Sequence, residues 1–187
     1  MTKATLRPAV TADIRAIAEF QTRCWLQAYR GLVPPDYLDR LSVDHRESTW
    51  GQRLATGSRQ IAVAEIDADH AENADHTGNA GTAENATLAA HAVLIGVVSW
   101  GPARAEDGAP PLELKSLYVD AAHHGSGVAA ALLRFAIGEA DAQLWCFEEN
   151  QRARAFYAKH GFQPDGTRIV DSDTGVWELR LRRSSPV

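Results

Sequence analysis

A turn of unusual composition sits in the middle of the chain, between an apolar strand and an apolar helix. It reads His124-Gly125-Ser126-Gly127-Val128-Ala129, preceded by Leu112–Val119 and followed by a run rich in Ala and Leu. Successive backbone N–H groups at such a turn point outward, and the helix start carries partial positive charge, so the segment is suited to an anion such as a pyrophosphate. Gly125 and Gly127 let the backbone approach a ligand with no Cβ in the way. Three phosphate chemistries compete. A nucleoside-triphosphate loop needs Gly-Lys-Ser/Thr, which is absent. A dinucleotide site needs a third glycine where Val-Ala-Ala stands, and an early position in the fold. An acyl-coenzyme A site needs neither. A metal is not expected. His123 and His124 are adjacent and poorly placed to reach one ion together, and no ligand spacing recurs elsewhere.

A second block follows, Leu144-Trp-Cys-Phe-Glu-Glu-Asn150-Gln-Arg-Ala153-Arg-Ala-Phe156-Tyr157-Ala-Lys-His-Gly161-Phe162. Together the two blocks resemble the GNAT N-acetyltransferase superfamily. That family has a Gln/Arg-x-x-Gly-x-Gly/Ala turn after its fourth strand, then Asn-x-x-Ala-x-x-Phe-Tyr-x-x-x-Gly-Phe. The opening Leu6-Arg-Pro-Ala-Val-Thr-Ala-Asp13 is similar to the family's first strand and helix start. His124 departs from the usual Gln or Arg; its backbone N–H still suits a pyrophosphate. The resemblance implies acetyl-CoA as co-substrate, bound by the backbone of Leu117, Tyr118 and Val119 and by the turn His124, Gly125, Ser126, Gly127, Val128 and Ala129. It also implies a contact from Asn150, a residue type that equally serves as a helix N-cap.

Transfer of an acetyl group from a thioester leaves a thiolate that gains charge as the bond breaks. A positioned phenol can protonate it, and the resemblance puts Tyr157 in that role. The acceptor amine must lose a proton; Glu113, on the strand leading to the turn, is the expected base, with Lys115 and Leu117 on its face by strand alternation. Cys146 reads as packing rather than as an acyl carrier. Trp25, Tyr29 and Tyr37, around a Gly- and Pro-bearing connection, are expected to line the acceptor pocket. Arg152, Arg154 and Lys159 are candidates for the nucleotide phosphates. A primary amine on a small molecule or a peptide is the implied acceptor, with direct transfer in a ternary complex. The rival readings are a non-catalytic acyl-CoA-binding module and, less well matched, a nicotinamide oxidoreductase.

These residues need elements to position them. Ala4 to Pro8 reads as a strand. Thr11 is placed to cap a helix carrying Ile14, Ile17, Ala18, Gln21, Trp25 and Ala28 at spacings of three and four, stopped by Gly31. Tyr37, Leu38 and Leu41 make a short helical face, and Ser42 is placed to cap a helix bearing Arg46, Trp50 and Leu54. Strands are expected at Gln60–Ile66, Val93–Trp100, Leu112–Val119, Gln143–Phe147, Phe162–Gln163 and Val176–Leu181. The helix after the turn is expected to bury Val128, Ala131, Leu132 and Phe135; a further one, capped by Asn150, carries Phe156 and Tyr157. The fold class is thus α/β (α+β), a GNAT fold. Its central mixed sheet has about seven strands and about four helices, with the Gly-rich turn between the fourth strand and third helix.

The 187 residues suit one domain over 1–183 with a short tail at 184–187. Hydrophobic residues make up 45% and charged residues 23%, as in globular proteins. The net charge of −5 disfavours nucleic acid as a partner, and its source is local. Asp67, Asp69, Glu72, Asp75 and Glu84 fall in an Ala-rich stretch without Lys or Arg, and they equal the whole excess. That stretch, 67–92, has one large apolar residue, Leu88, and reads as a solvated loop between strands, with His70, His76 and His91 as a minor metal-loop alternative. Two cysteines exclude a disulfide scaffold, and no apolar run approaches the ~20 residues that span a bilayer. A cytoplasmic protein, not bound to membrane, is expected; the resemblance admits a homodimer.

Overall fold

The computed structural model describes residues 4–67, 92–103 and 110–184. Most of the proposed 67–92 loop, including His70, His76 and His91, lies outside the described residues, as does the tail from 185. The chain orders its elements as β1 (Thr5–Pro8), α1 (Ile14–Ala28), α2 (Pro35–Asp39), α3 (Val43–Ala55), β2 (Gln60–Asp67), β3 (Ala92–Pro102), β4 (Leu112–Val119), α4 (Val128–Ile137), β5 (Ala142–Phe147), α5 (Gln151–Lys159), β6 (Gln163–Val170) and β7 (Trp177–Arg183). The strands form one sheet in the order β1-β2-β3-β4-β5-β7-β6. Every neighbouring pair is antiparallel except β4–β5. No helix among the described residues is long and apolar enough to cross a membrane.

Among the described residues, seven strands and a mixed sheet agree with the sequence reading, and the helix count rises to five. The Tyr37–Leu38 face is a helix of its own because Pro35 stands in its first turn with φ already set. The Gly-rich turn therefore precedes the fourth helix, not the third. Thr11 does not cap α1. Residues Thr11–Asp13 form a 3-10 turn, and the Asp13 carboxylate accepts from Val10 N–H (2.7 Å) while pairing with Arg7 (2.7 Å). Ser42 does cap α3, its hydroxyl accepting from His45 N–H at 3.2 Å. Phe135 is 43% exposed; α4 instead buries Val128, Leu132, Leu133, Ala136 and Ile137, a stripe rotated by one position. Residues 163–170 form a longer β6 than expected, with a register shift between Pro164 and Arg168 that accommodates the proline.

The two faces of the sheet carry separate cores. Ala62, Ala64 and Val98 face α4, while Ile61, Val63 and Val97 face α1 and α3. Close approach of α4 depends on Gly96. A Cβ there would lie 2.7 Å from Leu132 Cδ1 and 3.3 Å from the Tyr118 carbonyl oxygen, and Leu132 is fully buried. Gly96→Val is expected to lower stability by about 1–3 kcal/mol, read as a lower urea midpoint at unchanged slope. Gly51→Ala is the control. It lies in α3 with nothing within 4 Å of a Cβ, so it should hold or raise the midpoint.

Candidate active site

Strands β4 and β5 pair at only two positions, Glu113 with Gln143 and Leu114 with Leu144. Beyond them β4 runs on to Val119 and β5 to Phe147 without pairing, so the sheet opens into a slot. A bulge in β4 precedes the opening. Ser116 opposes Ser99 and Leu114 opposes Trp100, which leaves Lys115 without an opposite residue. Past the bulge, Asp120 N–H donates to Ile95 O at 3.0 Å on the β3 side. Alternation then turns the N–H and C=O of Val119 and Leu117 towards the slot.

The Gly-rich turn closes one end of this slot. Gly125 and Gly127 hold φ of 79° and 89°, values open to glycine at little cost, and a Cβ on either would meet nothing within 4 Å. The first intrahelical bond of α4 runs from Ala131 N–H to Gly127 O (3.0 Å). The N–H groups of Val128, Ala129 and Ala130 therefore have no carbonyl partner inside the helix. Gly125, Gly127, Ala129 and Ala130 line the cleft, whereas Val128 is buried in the core and the Ser126 hydroxyl turns back to donate to His123 O (2.6 Å). His124 joins the two sides. Arginine only donates, so Arg152 Nη1 donates to Nδ1 (2.7 Å) and the Nε2–H donates to Val119 O (3.1 Å). Asn150 caps α5 by accepting from Ala153 N–H at 3.1 Å and also lines the cleft.

The cleft measures about 1260 Å³, above the ~300–1,000 Å³ usual for a single small ligand. Trp25, Tyr29 and Tyr37 all line it. The rings of Tyr29 and Tyr37 lie 4.6 Å and 5.7 Å from Trp25, with Phe147 at 6.2 Å. The phenol oxygen of Tyr118 accepts from Trp25 Nε1 (3.0 Å) and from the buried Gln21 Nε2 (3.2 Å), tying α1 to β4. Tyr157 lines the same cleft at 9% exposure, packed edge-on to Phe156 and Phe162. Its hydroxyl makes no hydrogen bond among the described residues. Burial first, then Cys146 and Tyr118, raises its pKa, so the phenol keeps its proton at neutral pH. Burial pushes the Cys146 thiol up to about 12, which leaves it a poor nucleophile.

Glu113 is not brought to the cleft. It is buried at 4% exposure, ion-paired to Lys115 Nζ (3.0 Å), and accepts from Gln143 Nε2 (3.3 Å). The bulge at Lys115 breaks the alternation on which its expected face rested. Sequence reading missed several cations that the cleft does contain, among them Arg46 and Arg53 on α3. The signal was available: both share a helical stripe with Trp50, at spacings of four and three.

Residues 82–164 match the family model described as an acetyltransferase (GNAT) domain. A probable N-acetyltransferase of Mycobacterium tuberculosis is 26% identical over 166 residues, 86% of this chain and 80% of its own. Among solved structures, YncA of Salmonella typhimurium with its cofactor acetyl-CoA superposes with a TM-score of 0.61 at 21% identity, covering 96% of this chain and 92% of that one. The spermidine/spermine N-acetyltransferase SpeG of Vibrio cholerae gives 0.58 at 16% identity over 96% and 92%. These structural likenesses establish the shared fold.

Proposed function

Since the chain belongs to the GNAT N-acetyltransferase superfamily, we propose that it transfers an acetyl group from acetyl-CoA directly to a primary amine, both bound at once in the cleft. The observation that supports this most is the parting of β4 and β5 after two pairs, beside a glycine turn with outward N–H groups and an unengaged phenol. A plain ladder at β4–β5 would leave no slot.

Bound acetyl-CoA supplies an activated acetyl group as its thioester. The backbone N–H and C=O of Leu117 and Val119 would hold its extended arm as an added strand, a mode that uses main-chain hydrogen bonds. The N–H groups of Gly125 and Gly127 and of the first turn of α4 would hold its pyrophosphate, those of His124 and Ser126 being engaged by Ala121 O and His123 O. His124 would border the site without donating to it, since its ring is shared between Arg152 and Val119 O and its backbone N–H donates to Ala121 O at 3.2 Å, contrary to the expectation that this N–H meets the pyrophosphate. Asn150 keeps its side-chain NH2 for the arm while its oxygen caps α5. Tyr157 donates its proton to the departing sulfur; burial keeps that proton in place until it is needed. With Glu113 off the cleft wall, the acceptor's proton leaves through water. Trp25, Tyr29 and Tyr37 shape the acceptor side and exclude bulk solvent.

A non-catalytic module would bind the coenzyme without turnover. Incubation with acetyl-CoA and a panel of primary amines, with free thiol followed continuously, separates the two. Amine-dependent thiol release at a rate above that of the Tyr157→Phe protein is the expected result. Tight coenzyme A binding with no release on any amine would reverse it in favour of the binding module.

A further inference from the structure

Two of the guanidinium groups that line the cleft, those of Arg46 and Arg53, form no ion pair among the described residues. Arg46 and Arg53 lie about two turns apart on one stripe of α3, and both line the cleft. Among the described residues neither pairs with an acid. Arg46 Nε is buried without a hydrogen-bond partner, and its guanidinium sits over the Trp25 ring at 4.9 Å. Arg53 sits over the Trp50 ring at 5.2 Å. An aromatic face attracts a cation but accepts no directed N–H bonds, so the buried Arg46 Nε–H remains to be satisfied. The groups that act on Arg46 are Tyr118, Tyr37 and Tyr29; those on Arg53 are Arg59, Tyr118 and Arg46. Burial, with the like charge of Arg59 second, lowers Arg53 to about 10, which leaves it charged at neutral pH. Three acids line the same cleft, Asp171 and Asp173 near Tyr37 and Glu178 near Tyr29, but none forms an ion pair with Arg46 or Arg53, and Asp171 Oδ1 is engaged by Thr174 N–H (2.8 Å) and Thr174 Oγ1 (2.7 Å).

These cations do not serve the coenzyme phosphates. The glycine turn and α4 pack on the sheet face of Ala62, Ala64 and Val98, whereas α3 packs on the opposite face, against Ile61, Val63 and Val97. Uncompensated charge in a partly desolvated wall is costly unless a ligand of opposite sign completes it. Guanidinium forks match the two oxygens of a carboxylate or phosphate. We infer that the acceptor is a small primary amine that also carries an anionic group, a carboxylate or phosphate, held by Arg46 and Arg53, and that polycationic amines are rejected. The inference builds on the acetyltransferase reading, narrowing its acceptor class. It separates this chain from a protein such as the spermidine/spermine acetyltransferase whose fold it shares.

The test is binding rather than turnover, so it does not depend on transfer occurring. Titration calorimetry on the full chain would use O-phosphoethanolamine, β-alanine and spermidine, with coenzyme A titrated separately. One or both anionic amines should bind, at least about tenfold tighter than spermidine; the tighter of the two names the anion. Arg46→Gln should weaken the anionic amine about tenfold or more and leave coenzyme A affinity unchanged, because the cradle is on the other face. Arg46→Lys should recover only part of the loss, since it keeps the charge and not the fork. If Arg46→Gln fails to fold by circular dichroism, Arg53→Gln carries the same expectation from a neighbouring turn. Spermidine binding as tightly as both anionic amines, or equal affinity for them in wild type and a folded Arg→Gln variant, overturns the inference. Loss of coenzyme A binding in the wild type would instead refute the acetyltransferase reading, and the two failures are therefore distinguishable.

Discussion

Gly127→Glu should yield a folded protein that no longer holds coenzyme A. Gly127 is the residue before α4, with φ of 89°, and a Cβ there would meet no atom within 4 Å. The fold would bear only the strain of a side chain in a left-handed conformation, about 1 kcal/mol. The ligand would bear much more. A carboxylate on this residue projects over the N–H groups of Val128, Ala129 and Ala130, which lack intrahelical partners. It would occupy the space of a pyrophosphate and repel it. A like-charge pair 4 Å apart costs about 1 kcal/mol in water and ~4 kcal/mol near a protein surface, and a pyrophosphate presents more than one such pair. Several kcal/mol is the expected loss, at least ~10²-fold in affinity. Calorimetry showing an unchanged coenzyme A affinity in a variant with wild-type circular dichroism would remove the cradle assignment.

Tyr157→Phe removes one oxygen and keeps the ring that packs against Phe156 and Phe162. Stability and coenzyme A affinity should therefore barely move. If the phenol serves the departing sulfur, kcat with an identified acceptor should fall ~10²-fold or more, the size of a lost general acid. Full turnover in this variant would make Tyr157 a packing residue and give the proton to water. Glu113→Gln is the companion measurement. A lost base should matter less as pH rises, because more of the acceptor amine is already neutral. Glu113 instead lies buried between Lys115 and Gln143, so its loss should appear in the unfolding midpoint, with little change in the pH–rate profile.

The glycine turn, the Asn150 cap and the Phe156–Tyr157 pair were legible as local features, because each depends on a few consecutive residues and a known backbone geometry. Ser42 as the cap of α3 was legible for the same reason. Local reasoning failed where a longer-range partner intervened. Asp13 binds Arg7 rather than leaving Thr11 to begin the helix, and the stripe of α4 is set by the sheet beneath it, which turns Phe135 outward.

Chain order and residue type by themselves determined the alternation of strands and helices, the anion-binding turn and the presence of a phenol ten residues after the end of β5. They are properties of short segments, and short-range geometry is nearly independent of the rest of the molecule. Only the tertiary structure decided which side chains share a cleft. The extra residue at Lys115 inverts the alternation of β4, so Glu113 is withdrawn and Tyr118 faces Gln21 and Trp25. The parting of β4 from β5 is likewise a matter of pairing between strands with a whole helix between them in sequence. Arg46 and Arg53 become a recognition surface only because α3 sets them beside the aromatic rings of α1 and α3 on the cleft wall, with no ion-pair partner among the described residues. A charge on a helix is ordinary in sequence; its meaning lies in what the fold leaves unpaired around it.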